Sequence, residues 1–502
     1  MPTRAACCAQ VTASFGPTRV SELIALRFSA ISHAGGASAM RAPVGQTGMA
    51  DAGNGEMPLP AATEQMFKLR TLAGLHGGGC YLGSMGAPVF GGSEQCVLVL
   101  GPPRSGKTSG VVVPNVLAAR SVVVASTKRD VLDATYRQRR ELGHCLLYDP
   151  SGATAAPPGV RVVGWSPLEA ASSWPGAVVV AESMVGAARP DHHGESAHWN
   201  ERAAALLACL LHAAQLGGVG MDEMVSWVNR REPEAPMALL GEADVELAVD
   251  VLTGLVVTDH RELSGIWSTA SSVLAAYRTA PALESTTKAP IDFAGLIEGG
   301  DTLYVVASAE HQRHLAPLIA GLVRDLRART YARRPPGPVT LVLDELANIA
   351  PLHDLPELVS EGGSHGLLTL ACLQDLSQAR ARWGQIADGF LSLFGYKIIL
   401  GGLADPRTLQ AISTLAGERD APLHSASWRS PLHPTQHSLS SRRSAVLPLD
   451  AIAKLAVGTA LLIDRGQMRK VELAAMHATR ALEPRIERRV GEIARTREGL
   501  GR

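Results

Sequence analysis

Three observations predict an α/β fold built on a mainly parallel sheet. From about residue 80 the chain alternates strand-like apolar runs with helix-like segments, the order that a sheet covered on both faces requires. Many of these runs are apolar throughout rather than at every second position, as in strands buried on both sides. One of them, 96–100, leads directly into Gly101, Pro102, Pro103, Arg104, Ser105, Gly106, Lys107 and Thr108, which fit the pattern G-x-x-x-x-G-K-[ST].

Taken in order, the strand candidates are 96–100, 121–125, 145–148, 301–307, 339–343, 367–373, 397–400 and 460–463. Between about 190 and 290 the strand signal vanishes. There Trp199, Ala203, Leu206, Leu207 and Leu210 fall at i, i+4, i+7, i+8 and i+11, and Ile266, Ala270, Val273, Leu274 and Tyr277 repeat that spacing. The expected organisation is a disordered segment over 1–60, a nucleotide-binding domain in two parts over 61–189 and 291–480, an all-α insertion over 190–290, and a tail over 481–502 with a helix at about 483–497. The first segment is rich in Ala, Gly, Ser and Thr with no sustained period; initiation at Met49 would explain it equally well. The stretch 421–449 holds no acidic residue, mixes Arg and His with Ser and Pro, and reads as a long mobile loop.

Composition narrows the function classes. Lys plus Arg and Asp plus Glu number 47 each, so the formal net charge is zero and any nucleic-acid contact must come from local patches. The seven cysteines are scattered without a C-x-x-C pair, the usage of a reducing cytosol. The nearest approach to a membrane span, 203–220, is interrupted by His212 and Gln215, and no secretory signal is visible. The expected location is the cytosol, or the periphery of the inner face of the cell membrane.

The residues after strand 96–100 have a mechanical logic. Glycines let successive backbone N–H groups curl around an anion, Lys107 reaches the β and γ phosphates of a nucleoside triphosphate, and Thr108 offers its hydroxyl to Mg²⁺. Hydrolysis needs carboxylates too. Strand 339–343 ends in Asp344 and Glu345, so Asp344 is assigned to Mg²⁺ and Glu345 to the attacking water. The next strand, 367–373, ends at Gln374, placed to contact the γ-phosphate and report its loss; a polar residue capping a strand end is the alternative.

Several motifs in the same order resemble the TraG/TraD-type coupling ATPases of conjugative type IV secretion. The phosphate-loop region GPPRSGKTSGVVVPN, ending at Asn115, is followed by STKRDVL from Ser126, then Thr135, Arg139, Gly143 and Tyr148-Asp149-Pro150. Trp165, Pro167 and Leu168, the pair His198-Trp199, and LQDLSQA from Leu373 with Trp383-Gly384 complete the resemblance, which spans roughly 80–465. It implies a RecA-like P-loop NTPase that assembles as a homo-hexamer and uses ATP and Mg²⁺ to drive single-stranded DNA through a central channel, with a relaxase or secretion-channel components as partners. Two departures stand out. The family's N-terminal membrane helices have no counterpart, and the loop before the glutamine strand, 361–366, offers His365 where relatives often carry an arginine. Arg104 and Arg129 are the candidate substitutes for that charge. A nucleotide-gated docking receptor that does not pump DNA is the competing function.

Weaker constellations remain open. Asp191, His192, His193, Glu195 and His198 could form a metal site or a polar loop; His311 and His314 a site or an exposed helix face; Cys372 a nucleophile or core. In 421–449, His424, Trp428, Arg429, His433, His437, Arg442 and Arg443 suit a single strand's phosphates and bases, or a solvated loop.

Overall fold

A computed structural model describes residues 59–189, 195–308, 310–427 and 436–473, all within one compact unit. The expectations for 1–58, Asp191, His192, His193, Trp428, Arg429, His433 and the tail beyond 473 lie outside the described residues.

A sheet of twelve strands carries the fold, in the order β2-β1-β14-β13-β10-β3-β9-β8-β4-β7-β5-β6. The eight strands anticipated from sequence are all present: β3 (Val97–Leu100), β4 (Ser121–Ser126), β5 (Cys145–Tyr148), β7 (Thr302–Val306), β8 (Val339–Leu343), β9 (Leu367–Leu373), β10 (Tyr396–Leu400) and β13 (Thr459–Asp464). From β10 through to β6 (Val160–Val162) every pairing is parallel. β3, β5, β7, β8, β9 and β10 are buried along their whole length, which explains their unbroken apolar runs.

Beyond β10 the sheet turns antiparallel through β13, β14 (Gln467–Glu472), β1 (Tyr81–Ser84) and β2 (Pro88–Phe90). Arg465 and Gly466 link β13 to β14 with φ of 46° and 79°, the double positive φ that a tight type I′ hairpin demands. Helix α1 (Leu59–Leu75) buries Met66, Leu69 and Leu72 in a cluster that also contains Tyr81, Phe90, Val113 and Leu117.

Between β6 and β7 the described chain is helical, beginning with α4 (Pro167–Ala170) and α5 (Trp174–Ala188), ahead of the expected boundary at 190. Six further α-helices follow among the described residues, from α6 (Glu195–Leu216) through α10 (His260–Val273) to α11 (Ala280–Glu284). Ala203, Leu206, Leu207 and Leu210 on α6 and Ile266, Ala270 and Val273 on α10 are buried, so the 3.6-residue spacing marks the packed faces. After β7, helix α12 (Gln312–Arg333) crosses back over the sheet; Asp325 on it accepts the Trp165 indole N–H at 3.0 Å.

One expectation is overturned. The stretch 421–449, read as a mobile loop, is largely an antiparallel ribbon of β11 (Glu418–Ser427) and β12 (Gln436–Ala445), paired from Glu418 with Ala445 to Ser427 with Gln436, and then a short helix from Leu449. A two-stranded ribbon is held by its backbone ladder and need not bury either face, so the apolar alternation that betrays a strand is absent.

Candidate active site at the carboxyl edge of the sheet

The strands β3, β9, β8 and β4 lie side by side and all end at the same edge. Their ends are knitted together by backbone bonds: the Gly101 N–H donates to the Leu373 carbonyl at 3.2 Å, and the Asp344 N–H to the Ala125 carbonyl at 3.0 Å. Topology thus brings the three sequence motifs to one place, with Gln374 between the phosphate loop and the Asp344–Glu345 pair.

The loop from Gly101 to Thr108 is shaped by backbone chemistry. A Cβ on Gly101 would stand 2.7 Å from Ser105 Oγ and 3.0 Å from Leu400 Cβ, so only glycine permits the close turn. Arg104 has φ of 63° and Gly106 φ of 93°, a left-handed excursion that turns the chain inward. Thr108 opens a π-turn over Thr108–Val112 that runs directly into helix α2 (Val113–Ala118). Asn115 fixes that helix to the sheet, donating to the carbonyls of Tyr81 at 2.9 Å and Val111 at 2.8 Å and accepting the Tyr81 N–H at 2.7 Å.

Lys107 folds its ammonium onto the carbonyls of Gly101 and, at 3.0 Å, Pro102. Burial pushes its pKa down, while nearby Cys372, Asp344 and Glu345 push it up. Asp344 is buried, and burial raises its pKa above the usual carboxylate range. Ser126 opposes that shift by donating to Oδ2 at 3.0 Å, Glu345 reinforces it, and Lys107 and Thr108 oppose it. Thr108 Oγ1 donates to Asp344 Oδ1 at 3.4 Å. Glu345 Oε2 accepts from Asn348 Nδ2 at 2.9 Å, which orients the carboxylate. The Gln374 N–H donates to Gln378 Oε1 at 3.0 Å, and its half-buried side chain makes no hydrogen bond among the described residues.

These residues fit a nucleotide and its metal. Two oxygens of one Mg²⁺ octahedron, each at about 2.1 Å from the ion, lie about 3 Å apart, close to the Thr108–Asp344 spacing. Ser105 Oγ is buried within the loop without a partner among the described residues, a hydroxyl open to a phosphate oxygen.

The remaining candidates scatter. Cys372 is fully buried behind the site with its thiol pKa well above the usual value, which makes it core rather than a nucleophile. His365 stacks on Tyr331 at 4.3 Å between ring centroids and precedes β9, at the opposite edge of the sheet from Gln374. Seven strand residues separate those two edges by roughly 23 Å. Arg129 lies at the site edge after β4 but is held by Asp133 in two bonds of 2.7 and 2.9 Å. His198 Nε2 meets Glu262 Oε1 at 3.1 Å across α6 and α10, and the described residues contain no cluster of three metal-ligating side chains. His311 Nδ1 faces Ser308 Oγ at 3.0 Å. Sequence reasoning gave no role to Ser126 or Asn348; strand order sets Ser126 beside Asp344, whereas Asn348 stands only three residues after Glu345.

The parallel sheet, the phosphate loop at its carboxyl edge and the helical block between β6 and β7 define a RecA-like P-loop NTPase fold. Solved structures agree: the bacterial conjugative coupling protein TrwB, unbound, superposes with a TM-score of 0.60 at 20% identity over 76% of this chain and 86% of that one. Its complex with ADP and Mg²⁺ superposes with a TM-score of 0.59 at 20% identity over 77% and 87% of the two chains. A family model described as the TraM recognition site of TraD and TraG matches residues 338–457. Two Escherichia coli proteins called conjugal transfer protein TraG are each 25% identical, over 323 and 324 residues, 57% of this chain and 49% of theirs. By these matches the chain is similar to the TraG/TraD-type coupling proteins. It spans about half the length of the curated relatives it matches. No helix among the described residues is long and apolar enough to cross a membrane.

Proposed function

We propose that this chain hydrolyses ATP, with Mg²⁺, to move single-stranded DNA toward a conjugative secretion channel, working as a homo-hexameric ring. The observation that carries the reading is the convergence of Lys107, Thr108, Asp344, Glu345 and Gln374 on the ends of three adjacent strands. TrwB, which shares the fold, has been solved with ADP and Mg²⁺ and with the non-hydrolysable analogues GDPNP and ADPNP. The match over 338–457 supports partners of the TraM kind, alongside a relaxase or channel components.

The chemistry follows from the side chains. Backbone N–H groups from Gly101 to Thr108 cradle the phosphates and Lys107 exchanges its carbonyl partners for phosphate oxygens. Thr108 and Asp344 would hold Mg²⁺, whose charge would offset that developing on the phosphate oxygens. Glu345, braced by Asn348, orients the attacking water, and Gln374 registers the γ-phosphate from its place between the loop and Glu345.

The test is steady-state ATP turnover across a protein concentration series, with and without single-stranded DNA. A steep rise with concentration and DNA, lost in Lys107→Ala and Glu345→Gln, supports a ring-assembled motor. Full activity in both variants would sink the hydrolytic assignment. Slow turnover that ignores DNA would instead identify a nucleotide-gated docking receptor.

A further inference from the structure

A cleft of about 590 Å³ opens where the helical block meets the start of α12, well away in sequence from the phosphate loop. Arg189, Arg278, Arg313 and His314 line it, beside small side chains of Ala and Ser, and among the described residues no acidic one does. They come from three places: Arg189 caps the end of α5, Arg278 ends the 3₁₀ turn Leu274–Arg278 after α10, and Arg313 and His314 sit in the first turn of α12.

The hydrogen bonds of these cations leave charge uncompensated. Arg189 donates to Ser272 Oγ at 3.2 Å, and Arg278 to the Ser271 carbonyl at 3.2 Å and its Oγ at 3.0 Å, all neutral acceptors. No ion pair among the described residues involves Arg189, Arg278, Arg313 or His314. Cations at the ends of α5 and the 3₁₀ turn suit the local dipole, but those on α12 do not. That helix has no acid in its first turn and no side-chain cap, so its positive end carries two basic residues where the dipole favours an anion. A fourth arginine crowds in: burial and then the charge of Arg313 lower the pKa of Arg382, on the helix that follows Gln374.

We propose that this cleft binds the phosphate backbone of single-stranded DNA, Arg189, Arg278 and Arg313 engaging successive phosphates. The identity of the occupant rests on the translocase reading above; the site itself rests on the cleft. Arginine forks match phosphate oxygens bidentately, and three of them on three elements exceed what a lone small anion needs. Among the described residues no Phe, Tyr or Trp lines the cleft, so it grips the backbone without a broad stacking platform and is indifferent to sequence.

The experiment is fluorescence anisotropy of the full chain with labelled oligothymidylate across a salt series, wild type against the double variant Arg278→Ala, Arg313→Ala. Both side chains are exposed, and binding of a fluorescent ATP analogue reports the intact fold. Loss of two phosphate contacts should lower DNA affinity about tenfold or more and reduce the slope of log affinity against log salt by about 1.4. The pair Arg278→Lys, Arg313→Lys should recover most of that slope. Unchanged affinity and slope in the alanine variant overturn the proposal alone, whereas a wild type that binds no DNA overturns it together with the translocase reading. A variant defective only toward pyrophosphate would mark a small-anion site, and one defective only toward polyglutamate an acidic protein partner; either result overturns the DNA assignment.

Discussion

The two edges of the central sheet are built from the same strands and behave in opposite ways. At the amino edge, a buried arginine is fully engaged within the fold. Arg139 is fully buried, yet it donates to Thr302 Oγ1 at 2.7 Å and to the carbonyls of Ala119 at 2.5 Å, Arg120 at 2.9 Å and Gly300 at 3.2 Å, tying together the residues that lead into β4 and β7. At the carboxyl edge, a buried carboxylate keeps a proton more tightly than usual, a serine hydroxyl is unpartnered and an arginine is held at positive φ. The first edge spends its buried arginine on the fold; the second holds polar groups in unfavourable settings that a ligand relieves.

The contrast predicts opposite signs. Asp344→Asn should produce the largest functional loss, with hydrolysis falling about 10²–10³-fold, yet the nucleotide-free protein should melt at a higher temperature. Burial raises the Asp344 pKa, so the folded state binds its proton more tightly than the unfolded chain. This group therefore favours folding at pH below its unfolded value, and the benefit is lost as pH rises through the raised folded value. The melting advantage of the asparagine variant should widen from acid to neutral pH; an equal or lower Tm at neutral pH would break the comparison. Arg139→Ala should do the reverse. Four acceptors lose a buried donor, at a cost of about 3 kcal/mol or more in urea denaturation, while nucleotide affinity in the folded fraction stays at the wild-type value.

Ser126→Ala sharpens the comparison at the working edge itself. It removes the donor to Asp344 Oδ2 and should weaken Mg²⁺ about tenfold, up to a hundredfold, with little change in melting. The same deletion takes away a hydrogen bond that holds the Asp344 pKa down. The pH below which Mg²⁺ binding fails should accordingly move upward, readable as a shift in the acid limb of Mg²⁺-dependent nucleotide binding.

Legibility in the sequence divides along physical lines. Strands buried on both faces announce themselves, since Val97–Leu100 or Val339–Leu343 have no polar position to confuse the pattern. The strands that went unseen are short or carry charge: Tyr81–Ser84 contains Gly83, Val160–Val162 has three residues at the sheet edge, and Gln467–Glu472 exposes Arg469 and Lys470. The phosphate loop, the Asp344–Glu345 pair and Gln374 were readable because each is contiguous or ends an apolar run. Ser126 and the cleft cations were not. Their meaning depends on neighbours brought near by strand order or helix packing, with Arg189, Arg278 and Arg313 far apart along the chain.

The smallest predicted effect bears on whether the strained backbone of the loop serves the ligand. Arg104 at φ of 63° incurs the left-handed penalty of about 1–2 kcal/mol. Glycine removes it but brings about 0.5–1 kcal/mol of extra chain entropy to be lost on folding. The difference favours Arg104→Gly by about 0.5 kcal/mol, a small rise in Tm. If the exposed guanidinium is kept there to meet phosphate charge, the same variant should bind nucleotide several-fold less tightly. A stabilised variant with unchanged nucleotide affinity would show that the loop needs only the left-handed turn at this position, and would leave Arg129 as the candidate at this edge for the charge that His365, on the far side of the sheet, does not supply within the chain.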